Sequence, residues 1–215
     1  MSIVYVIPAY NEEHTIKNVI NVCAEFGDVV VINDGSIDRT AEVVKTTKAK
    51  LIEHNKNRGY AAALKSGLSY VLDTYELICV IDADGEIQPD IFKKFINTSL
   101  DDTFIIGDRQ TKNRFVEYLI CNFLRFNFKV KDPICGGFLI SGKLNKAILN
   151  RISYTELDSC FFVYKLTASR LAKNVLNVRF KPCKRIGASR FGAGLSVQFN
   201  ILRAYLKAAY YAANN

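Results

Sequence analysis

The sequence predicts an α/β protein built on a doubly wound, mostly parallel, Rossmann-like sheet. Short apolar runs alternate with segments of helical periodicity through the first half of the chain. This is the pattern of successive β-α units with right-handed crossovers. Several of these runs are apolar at every position, as expected for strands that are covered on both faces. With 215 residues, 49% of them hydrophobic, the chain can form one domain with a sizeable core.

Five strands and four helices are predicted in the first half. The strands occupy residues 3–7, 29–32, 51–52, 77–81 and 103–106. The first helix has Asn11 as its N-cap, followed by two acids in the first turn, where the helix dipole favours them. The second helix begins at Ser36 or Asp38. The third follows Gly59, and the fourth begins at Pro89, since proline suits a first turn.

The second half departs from this alternation. Helices are predicted at residues 113–128, 157–172 and 196–213, a turn into a strand at 135–140, and a further strand at 175–180. A glycine-containing basic loop follows at 184–194. The sequence has no internal repeat and no linker. We therefore predict a single domain over residues 1–215, in which a smaller lobe, 111–215, completes the site of the first half, 1–110.

Positive charge is concentrated near the C-terminus. Residues 1–150 hold 18 Lys/Arg and 19 Asp/Glu, whereas residues 151–215 hold 11 and 2. A basic segment of this kind indicates an anionic partner, such as phosphate, anionic lipid or nucleic acid. The last predicted helix is amphipathic, basic and aromatic, so it can either pack on the core or lie in a bilayer interface.

The remaining composition indicates a cytoplasmic protein without a structural zinc site. The six cysteines are scattered with no C-x-x-C spacing, which is typical of a reducing compartment. The two histidines, His14 and His54, have no Cys/His cluster around them. No signal-peptide pattern and no apolar run of about 20 residues is present.

Carboxylates follow the apolar run 77–81. Asp82 and Asp84 come directly after it, and Glu86 follows two residues later. Open α/β sheets bind ligands at the carboxyl ends of their strands. Clustered oxygen ligands there favour Mg²⁺ or Mn²⁺, which usually bridges to substrate phosphates. Polar segments at 8–12 (Pro-Ala-Tyr-Asn-Glu) and 33–36 (Asn-Asp-Gly-Ser) also follow strands, so we expect all three to converge on one nucleotide-binding edge.

Together with residues 57–61 (Asn-Arg-Gly-Tyr-Ala) and 107–109 (Gly-Asp-Arg), these motifs resemble the family 2 glycosyltransferases of the GT-A fold. Within that family the chain looks most like the enzymes that load a sugar onto polyprenyl or dolichyl phosphate. The resemblance implies a GT-A fold, a UDP- or GDP-linked sugar donor, a Mg²⁺ or Mn²⁺ cofactor and inversion at the anomeric carbon. It therefore implies a metal-dependent hexosyltransferase.

The resemblance also implies roles for particular residues. The nucleotide-sugar would be bound by Pro8, Ala9, Tyr10, Glu12, Asp34, Gly59 and Asp82. The metal would be held by Asp82, Asp84 and Glu86. The catalytic residues would be Asp84, Arg109, which meets phosphate groups, and Asp132. The acceptor or its phosphate would be bound by Lys184, Arg185, Ser189 and Arg190, where Lys and Arg have exchanged the places usual in the family.

The acceptor decides whether a base is needed. A lipid phosphate is already an anionic nucleophile, whereas a hydroxyl must lose a proton to a general base. Asp132 is the first candidate for that base and Asp158 the second. The segment 132–136 (Asp-Pro-Ile-Cys-Gly) resembles one found in dolichyl-phosphate glucosyltransferases near the transfer site.

Four functions compete at this point. The favoured one is inverting sugar transfer to a polyprenyl or dolichyl phosphate by an enzyme bound peripherally to the cytoplasmic face of a membrane. The second uses the same donor with a glycan or protein hydroxyl as acceptor. The third is a nucleotidyltransferase. The fourth is a non-catalytic module that binds nucleic acid or membrane, which leaves Asp82 and Asp84 without a role, so we expect no nucleic-acid partner.

Overall fold

The structure is a computed structural model. It describes the residues 2–96, 100–112, 114–122, 128–152, 161–184 and 194–214. Asp158 and most of the predicted basic loop, including Arg185, Ser189 and Arg190, lie outside these ranges.

A seven-stranded sheet organises the described residues, in the order β3-β2-β1-β4-β6-β5-β7. The strands are β1 Ile3–Ala9, β2 Asp28–Asn33, β3 Lys50–Glu53, β4 Leu77–Val80, β5 Thr103–Arg109, β6 Phe138–Ser141 and β7 Asn174–Phe180. β6 runs antiparallel to both of its neighbours, and every other pair is parallel. The predicted mostly parallel α/β sheet is confirmed.

Helices cover both faces of the sheet. They are α1 Ile16–Ala24, α2 Thr40–Lys45, α3 Tyr60–Tyr70, α4 Phe115–Asn122, α5 Gly142–Arg151, α6 Phe161–Leu171 and α7 Leu195–Asn214, with a 3₁₀ helix at Pro89–Phe95. Helix α5 was not predicted, although Ser141 is a favourable N-cap whose hydroxyl accepts a hydrogen bond from the Leu144 N–H. Of the helix predicted at 113–128, Phe115–Asn122 forms α4 and residue 128 is not helical, whereas residues 113 and 123–127 lie outside the described ranges.

Alternation along β1 divides the core into two layers. Val4 and Val6 pack with α3 to α7 on one face of the sheet. Ile3, Tyr5 and Ile7 pack with α1, α2 and the 3₁₀ helix on the other. Because both faces are covered, every residue of β1 is buried, which explains why the strand is apolar without interruption.

Helix α1 begins later than predicted. Its N-cap is Thr15, four residues beyond Asn11. Asn11 has a positive φ of 54°, and its side-chain oxygen accepts a hydrogen bond from the Ile37 N–H at 2.9 Å. The Glu12 N–H likewise donates to the Thr40 hydroxyl at 2.7 Å. The capping prediction was wrong because these polar groups bind the chain that follows β2 instead of their own helix.

Two strands extend further than predicted towards the site. β1 continues through Pro8, which pairs only with β2, because β4 pairs with β1 no further than Val6. Proline is tolerated where one side of a strand has no ladder partner. β5 continues to Arg109 because β7 pairs with it as far as Phe180.

Helix α7 packs against the core through one side. Its buried residues are Tyr205, Ala208 and Ala212, and the Tyr205 ring meets Phe162 edge-on with 5.6 Å between centroids. Among the residues that the structure describes, no helix has both the length and the apolarity required to cross a membrane.

Candidate functional site

The carboxyl ends of four strands meet at one edge of the sheet. β2, β1 and β4 are neighbours, and the backbone N–H of Asp34 donates to the Ala9 carbonyl at 2.8 Å. β5 points the same way as β4, because both are antiparallel to the β6 strand between them. The structure thus brings the segments after β1, β2 and β4 together, as predicted, and adds Arg109 at the end of β5.

Asp34 organises the loop that precedes α3. Its carboxylate is buried, and one oxygen lies 2.7 Å from His54 Nδ1 and accepts from the Arg58 N–H at 3.0 Å. The other oxygen accepts from the Gly59 N–H at 2.8 Å. A carboxylate has about four lone-pair sites, so Asp34 can still accept a hydrogen bond from a ligand while it holds this loop.

His54 has a role in the site that was not predicted from the sequence. Its imidazole bridges Asp34 and the Ser66 hydroxyl, which lies 2.9 Å from Nε2. The side chain is 7% exposed. The only signal in the sequence was its place one residue beyond β3, at the same edge as the other strand ends. His54 therefore fixes the orientation of Asp34 and links it to α3.

Gly59 is required by its backbone conformation. Its φ is +93°, and an added side-chain carbon would meet nothing within 4 Å. It directly precedes α3, so the glycine leaves open space over the first turn of that helix. This is compatible with the nucleotide-sugar contact predicted for Gly59, which stays a prediction.

Residues 8–12 span the end of β1 and the turn that follows it. Pro8 and Ala9 are buried in β1, and Tyr10 is half-buried just beyond it. Glu12 is buried and its carboxylate accepts from the Thr15 hydroxyl at 2.8 Å. Glu12 therefore holds the turn before α1, and a direct contact of these residues with a nucleotide remains a prediction.

Asp82 is held from two sides. One carboxylate oxygen accepts from the Tyr60 hydroxyl at 2.9 Å. On the other side lies Gly136, where an added side-chain carbon would come within 1.8 Å of Asp82 Oδ2. Only glycine therefore fits at position 136 without moving the carboxylate. Neither Tyr60 nor this function of Gly136 was predicted from the sequence.

Asp84 is 8% exposed, and one oxygen accepts from the Glu86 N–H at 3.0 Å. This bond turns the chain immediately after Asp84 and orients its carboxylate. Glu86 is in turn linked to the end of β7, because its carbonyl accepts from the Cys183 N–H at 2.9 Å. Lys184, the one residue of the predicted acceptor-binding set within the described ranges, is exposed next to that link.

Asp82 and Asp84 can hold a divalent cation only if a bound ligand supplies further oxygen atoms to it. Within the described ranges, no three Asp, Glu, His or Cys side chains are grouped to hold a metal, so Asp82, Asp84 and Glu86 do not form a complete protein cage. Mg²⁺ at nucleotide sites is usually bound through one or two carboxylates, with phosphate oxygens and water completing its shell. Asp82 and Asp84, hard oxygen donors at one strand end, match that donor set.

Arg109 and Asp132 form a buried bidentate ion pair. Arg109 Nε and Nη2 donate to the two carboxylate oxygens at 2.8 and 3.1 Å. Lys112 Nζ donates to the same carboxylate at 2.8 Å. Asp132 is fully buried and Arg109 is 9% exposed, with Glu117 3.5 Å from its Nη2. Paired donation of this kind is among the strongest side-chain interactions.

This ion pair argues against the general-base role predicted for Asp132. Burial alone would raise the pKa of the carboxyl, but the charges of Arg109 and Lys112 and their hydrogen bonds hold it well below its usual range. A carboxylate whose charge is already balanced by two neighbouring cations is a poor general base near neutral pH. Asp132 instead positions Arg109, and direct contact between Arg109 and a phosphate remains a prediction.

A second cation lies behind the site and was not predicted. Lys165 on α6 is fully buried and donates to the Cys135 carbonyl at 2.5 Å. Its place on an otherwise apolar helix, between Tyr164 and Leu166, was the only signal in the sequence.

A groove of about 700 Å³ lies apart from these residues, between the 3₁₀ helix and β7. It is lined by Asp90, Ile91, Lys93, Lys94, Val178 and Arg179. None of the strand-end residues lines it, so the strand ends, with their buried carboxylates, are the better candidate for chemistry.

Comparison with known families gives one match over more than half of the chain. Residues 5–120 match the family model described as Glycosyl transferase family 2. The chain is 27% identical to UDP-N-acetylglucosamine–dolichyl-phosphate N-acetylglucosaminyltransferase of Methanococcus voltae, over 84% of each chain. It is 30% identical to dolichyl-phosphate beta-glucosyltransferase of Trichomonas vaginalis over 128 residues, which is 49% of this chain and 37% of that one.

Solved structures agree on the fold. Glucosyl-3-phosphoglycerate synthase from Mycobacterium tuberculosis, in complex with Mn²⁺, UDP and phosphoglyceric acid, matches with a TM-score of 0.72. The match covers 98% of this chain and 78% of the synthase at 18% sequence identity. At that identity the likeness establishes the architecture, which is the GT-A fold.

Proposed function

Since this chain belongs to glycosyl transferase family 2, we propose that it transfers a sugar from a nucleotide diphosphate to a polyprenyl or dolichyl phosphate, with inversion at the anomeric carbon. The observation that carries this proposal is the pair of strand-end carboxylates, Asp82 and Asp84, at the same edge of the sheet as the buried Asp34. The names of the relatives from Methanococcus voltae and Trichomonas vaginalis support dolichyl phosphate as the acceptor.

The donor is a UDP-sugar in this proposal. Asp34 keeps one lone-pair site for a base or ribose, and the open space above Gly59 admits the nucleotide beside it. UDP-N-acetylglucosamine appears in the name of one relative, and UDP is bound in the related synthase. These observations favour UDP over GDP, the other donor considered.

Asp82 and Asp84 would hold Mg²⁺ or Mn²⁺ against the diphosphate. The ion would supply positive charge to the leaving nucleoside diphosphate. The protein's own contribution is orientation: the Tyr60 hydroxyl and the backbone of Gly136 fix Asp82, and the Glu86 N–H fixes Asp84. Rigid ligands lose less free energy on binding.

An anionic acceptor fits the charges better than a hydroxyl. Asp132, the first candidate for a general base, is neutralised by Arg109 and Lys112. A phosphate nucleophile needs no proton removed. Lys184 stands at the start of the basic segment and is linked to Glu86 through the neighbouring Cys183, so the acceptor phosphate would arrive beside the metal-binding carboxylates.

The outer side of α7 supports attachment to a membrane surface. Leu195, Phe199, Leu206 and Tyr210 are 86, 65, 44 and 75% exposed. At 100° per residue they share one side of the helix, opposite its buried residues. Arg203 and Lys207 are exposed, and α7 contains no acid. An apolar, aromatic and cationic face of this kind binds anionic bilayer interfaces, and we propose peripheral binding to the cytoplasmic leaflet.

One assay tests the reaction. Radiolabelled UDP- and GDP-sugars would be incubated with Mn²⁺ or Mg²⁺ and dolichyl phosphate, and lipid-linked sugar, nucleoside diphosphate and pyrophosphate would be measured. Labelled lipid together with UDP supports the proposal. Label on a glycan or protein without lipid would establish the hydroxyl acceptor. Pyrophosphate released in a parallel incubation with a nucleoside triphosphate and a sugar 1-phosphate would establish a nucleotidyltransferase.

Asp84→Asn provides the matched test of the metal site. We expect metal-dependent donor binding, measured by calorimetry, to weaken about tenfold or more, since even residues behind a metal ligand contribute that much. The control is Asp90→Asn, the same change at an exposed residue of the 3₁₀ helix. Equal donor affinity in the two variants would refute the assignment of Asp84.

A further inference from the structure

Lys165 is a buried lysine that has no carboxylate within ion-pair distance among the residues that the structure describes. The side chain is fully buried in α6. Its Nζ donates to the Cys135 carbonyl at 2.5 Å and lies 4.5 Å from the centroid of the Phe161 ring. In the part of the chain that the structure describes, no Asp or Glu oxygen lies within 4.0 Å of it. An ammonium has three donors, and a carbonyl and a ring are modest compensation for its burial.

Burial disfavours the charged form of Lys165. Burial lowers the pKa of Lys165 to about 8, although Cys135, Asp82 and Asp132 favour the charged form. An apolar side chain of the same volume would usually be no less stable at such a site. Stability alone therefore does not account for a lysine at this position.

The first connection from Lys165 to the candidate site runs through the backbone. Its hydrogen bond holds the carbonyl of Cys135. The next residue, Gly136, lies directly against the Asp82 carboxylate, so closely that an added side-chain carbon would come within 1.8 Å of Oδ2. A shift of the Cys135 peptide therefore moves the surface on which Asp82 rests.

The second connection runs through two rings. Lys165 lies over the Phe161 ring. Phe161 meets the Tyr60 ring edge-on, with centroids 5.4 Å apart and an interplanar angle of 75°. The Tyr60 hydroxyl donates to Asp82 Oδ1 at 2.9 Å. Both oxygens of Asp82 are thus contacted by groups that Lys165 supports from behind.

We propose that Lys165 is a positioning residue that holds the Asp82 carboxylate in place for the metal and nucleotide by fixing both groups in contact with it. Lys165 does not touch the ligand itself. The ligand in this inference rests on the proposed function, whereas the support of Asp82 through Cys135 and Phe161 does not.

Lys165→Met tests the proposal, because methionine is similar in length and carries no charge. Tyr164→Phe is the matched control: it removes a buried hydroxyl from the adjacent residue of the same helix, where that hydroxyl donates to Asn145 at 2.7 Å. Two measurements are made: hydrogen exchange of the peptide covering residues 132–138, and calorimetric binding of UDP-sugar with Mn²⁺.

We expect Lys165→Met to remain folded, to exchange faster at 132–138, and to bind UDP-sugar with Mn²⁺ about tenfold or more weakly. Tyr164→Phe should lower the melting temperature without changing either quantity. Phe161→Leu removes the ring between Lys165 and Tyr60 and should also weaken binding of UDP-sugar with Mn²⁺. If Lys165→Met does not fold, the affinity of Phe161→Leu tests the proposal instead.

Unchanged exchange at 132–138 and unchanged affinity in a folded Lys165→Met or Phe161→Leu protein would overturn the proposal. If the wild-type protein binds no nucleotide-sugar, the proposed function fails. The exchange comparison then still decides whether Lys165 holds the segment behind Asp82, because it needs no ligand.

Discussion

Replacing Asp132 by Asn removes one charge from a buried ion pair while preserving the shape of the side chain. Arg109 and Lys112 would lose the carboxylate that both of them contact, at 2.8 Å each. Removing one partner of a buried pair costs about 3–5 kcal/mol, since the other charge remains buried and uncompensated. Glu117 stays 3.5 Å from Arg109, so we expect the lower end, about 3 kcal/mol.

The loss is measurable by thermal and urea unfolding. A domain of this size changes its melting temperature by about 2–4 °C per kcal/mol, so Asp132→Asn should melt about 6–12 °C lower. Asp73→Asn is the matched control. It breaks an exposed ion pair with Lys146 at 2.9 Å, and exposed pairs contribute about 0–1 kcal/mol.

The pH dependence has a defined sign. The folded-state pKa of Asp132 is lowered, so the stability it contributes is present above the unfolded carboxyl pKa, about 3.9. That stability is lost as the pH falls below this value towards the lowered pKa. Wild-type protein should therefore lose stability below about pH 4 more steeply than Asp132→Asn, which has no carboxyl at this position.

The opposite pattern would refute this reasoning. If the ion pair contributed little and Asp132 acted as a general base, Asp132→Asn would keep its stability within about 1 kcal/mol, lose transfer activity by a large factor and change the pH profile of the rate. Assaying activity at a temperature where both proteins are folded separates the two outcomes.

Two further predictions concern Asp82 and α7. Gly136→Ala should weaken binding of UDP-sugar with Mn²⁺ about tenfold or more, because the added methyl group would overlap the Asp82 carboxylate. Calorimetry measures this affinity. An unchanged affinity would show that donor binding does not require Asp82 in this position. Replacing both Phe199 and Tyr210 by Ser should reduce cosedimentation with anionic vesicles by about tenfold per residue, while melting temperature stays within a few degrees because both side chains are exposed. Equal cosedimentation of wild type and double variant would rule out this face.

Much of the fold could be predicted because its strands are buried on both faces. β4 consists of four fully buried apolar residues, and such a run is visible in the sequence whatever surrounds it. The first residue of a helix was harder to predict. Asn11 has the chemistry of an N-cap, but its oxygen binds Ile37, 26 residues away, and no local pattern reveals a partner at that distance.

Some residues of the candidate site could likewise be predicted from the sequence, and others could not. The positions of Asp34, Asp82 and Asp84 followed from strand ends, because parallel strands bring their carboxyl ends to one edge. The groups that hold two of them did not follow: His54 contacts Asp34, and Tyr60 contacts Asp82, each across at least 20 residues of chain.

The α/β class, the edge of the sheet that carries the site and the family could all be inferred from the sequence, because apolar runs and the residues that end them are local properties. What each charged group can do depends on the folded protein. Asp84 and Asp132 are the same chemical group, yet Asp84 lies at a strand end with the Glu86 N–H as a partner, whereas Asp132 is neutralised by Arg109 and Lys112. Burial and neighbouring charge set the free energy of an ionised group, and both depend on chain segments that meet only when the protein folds.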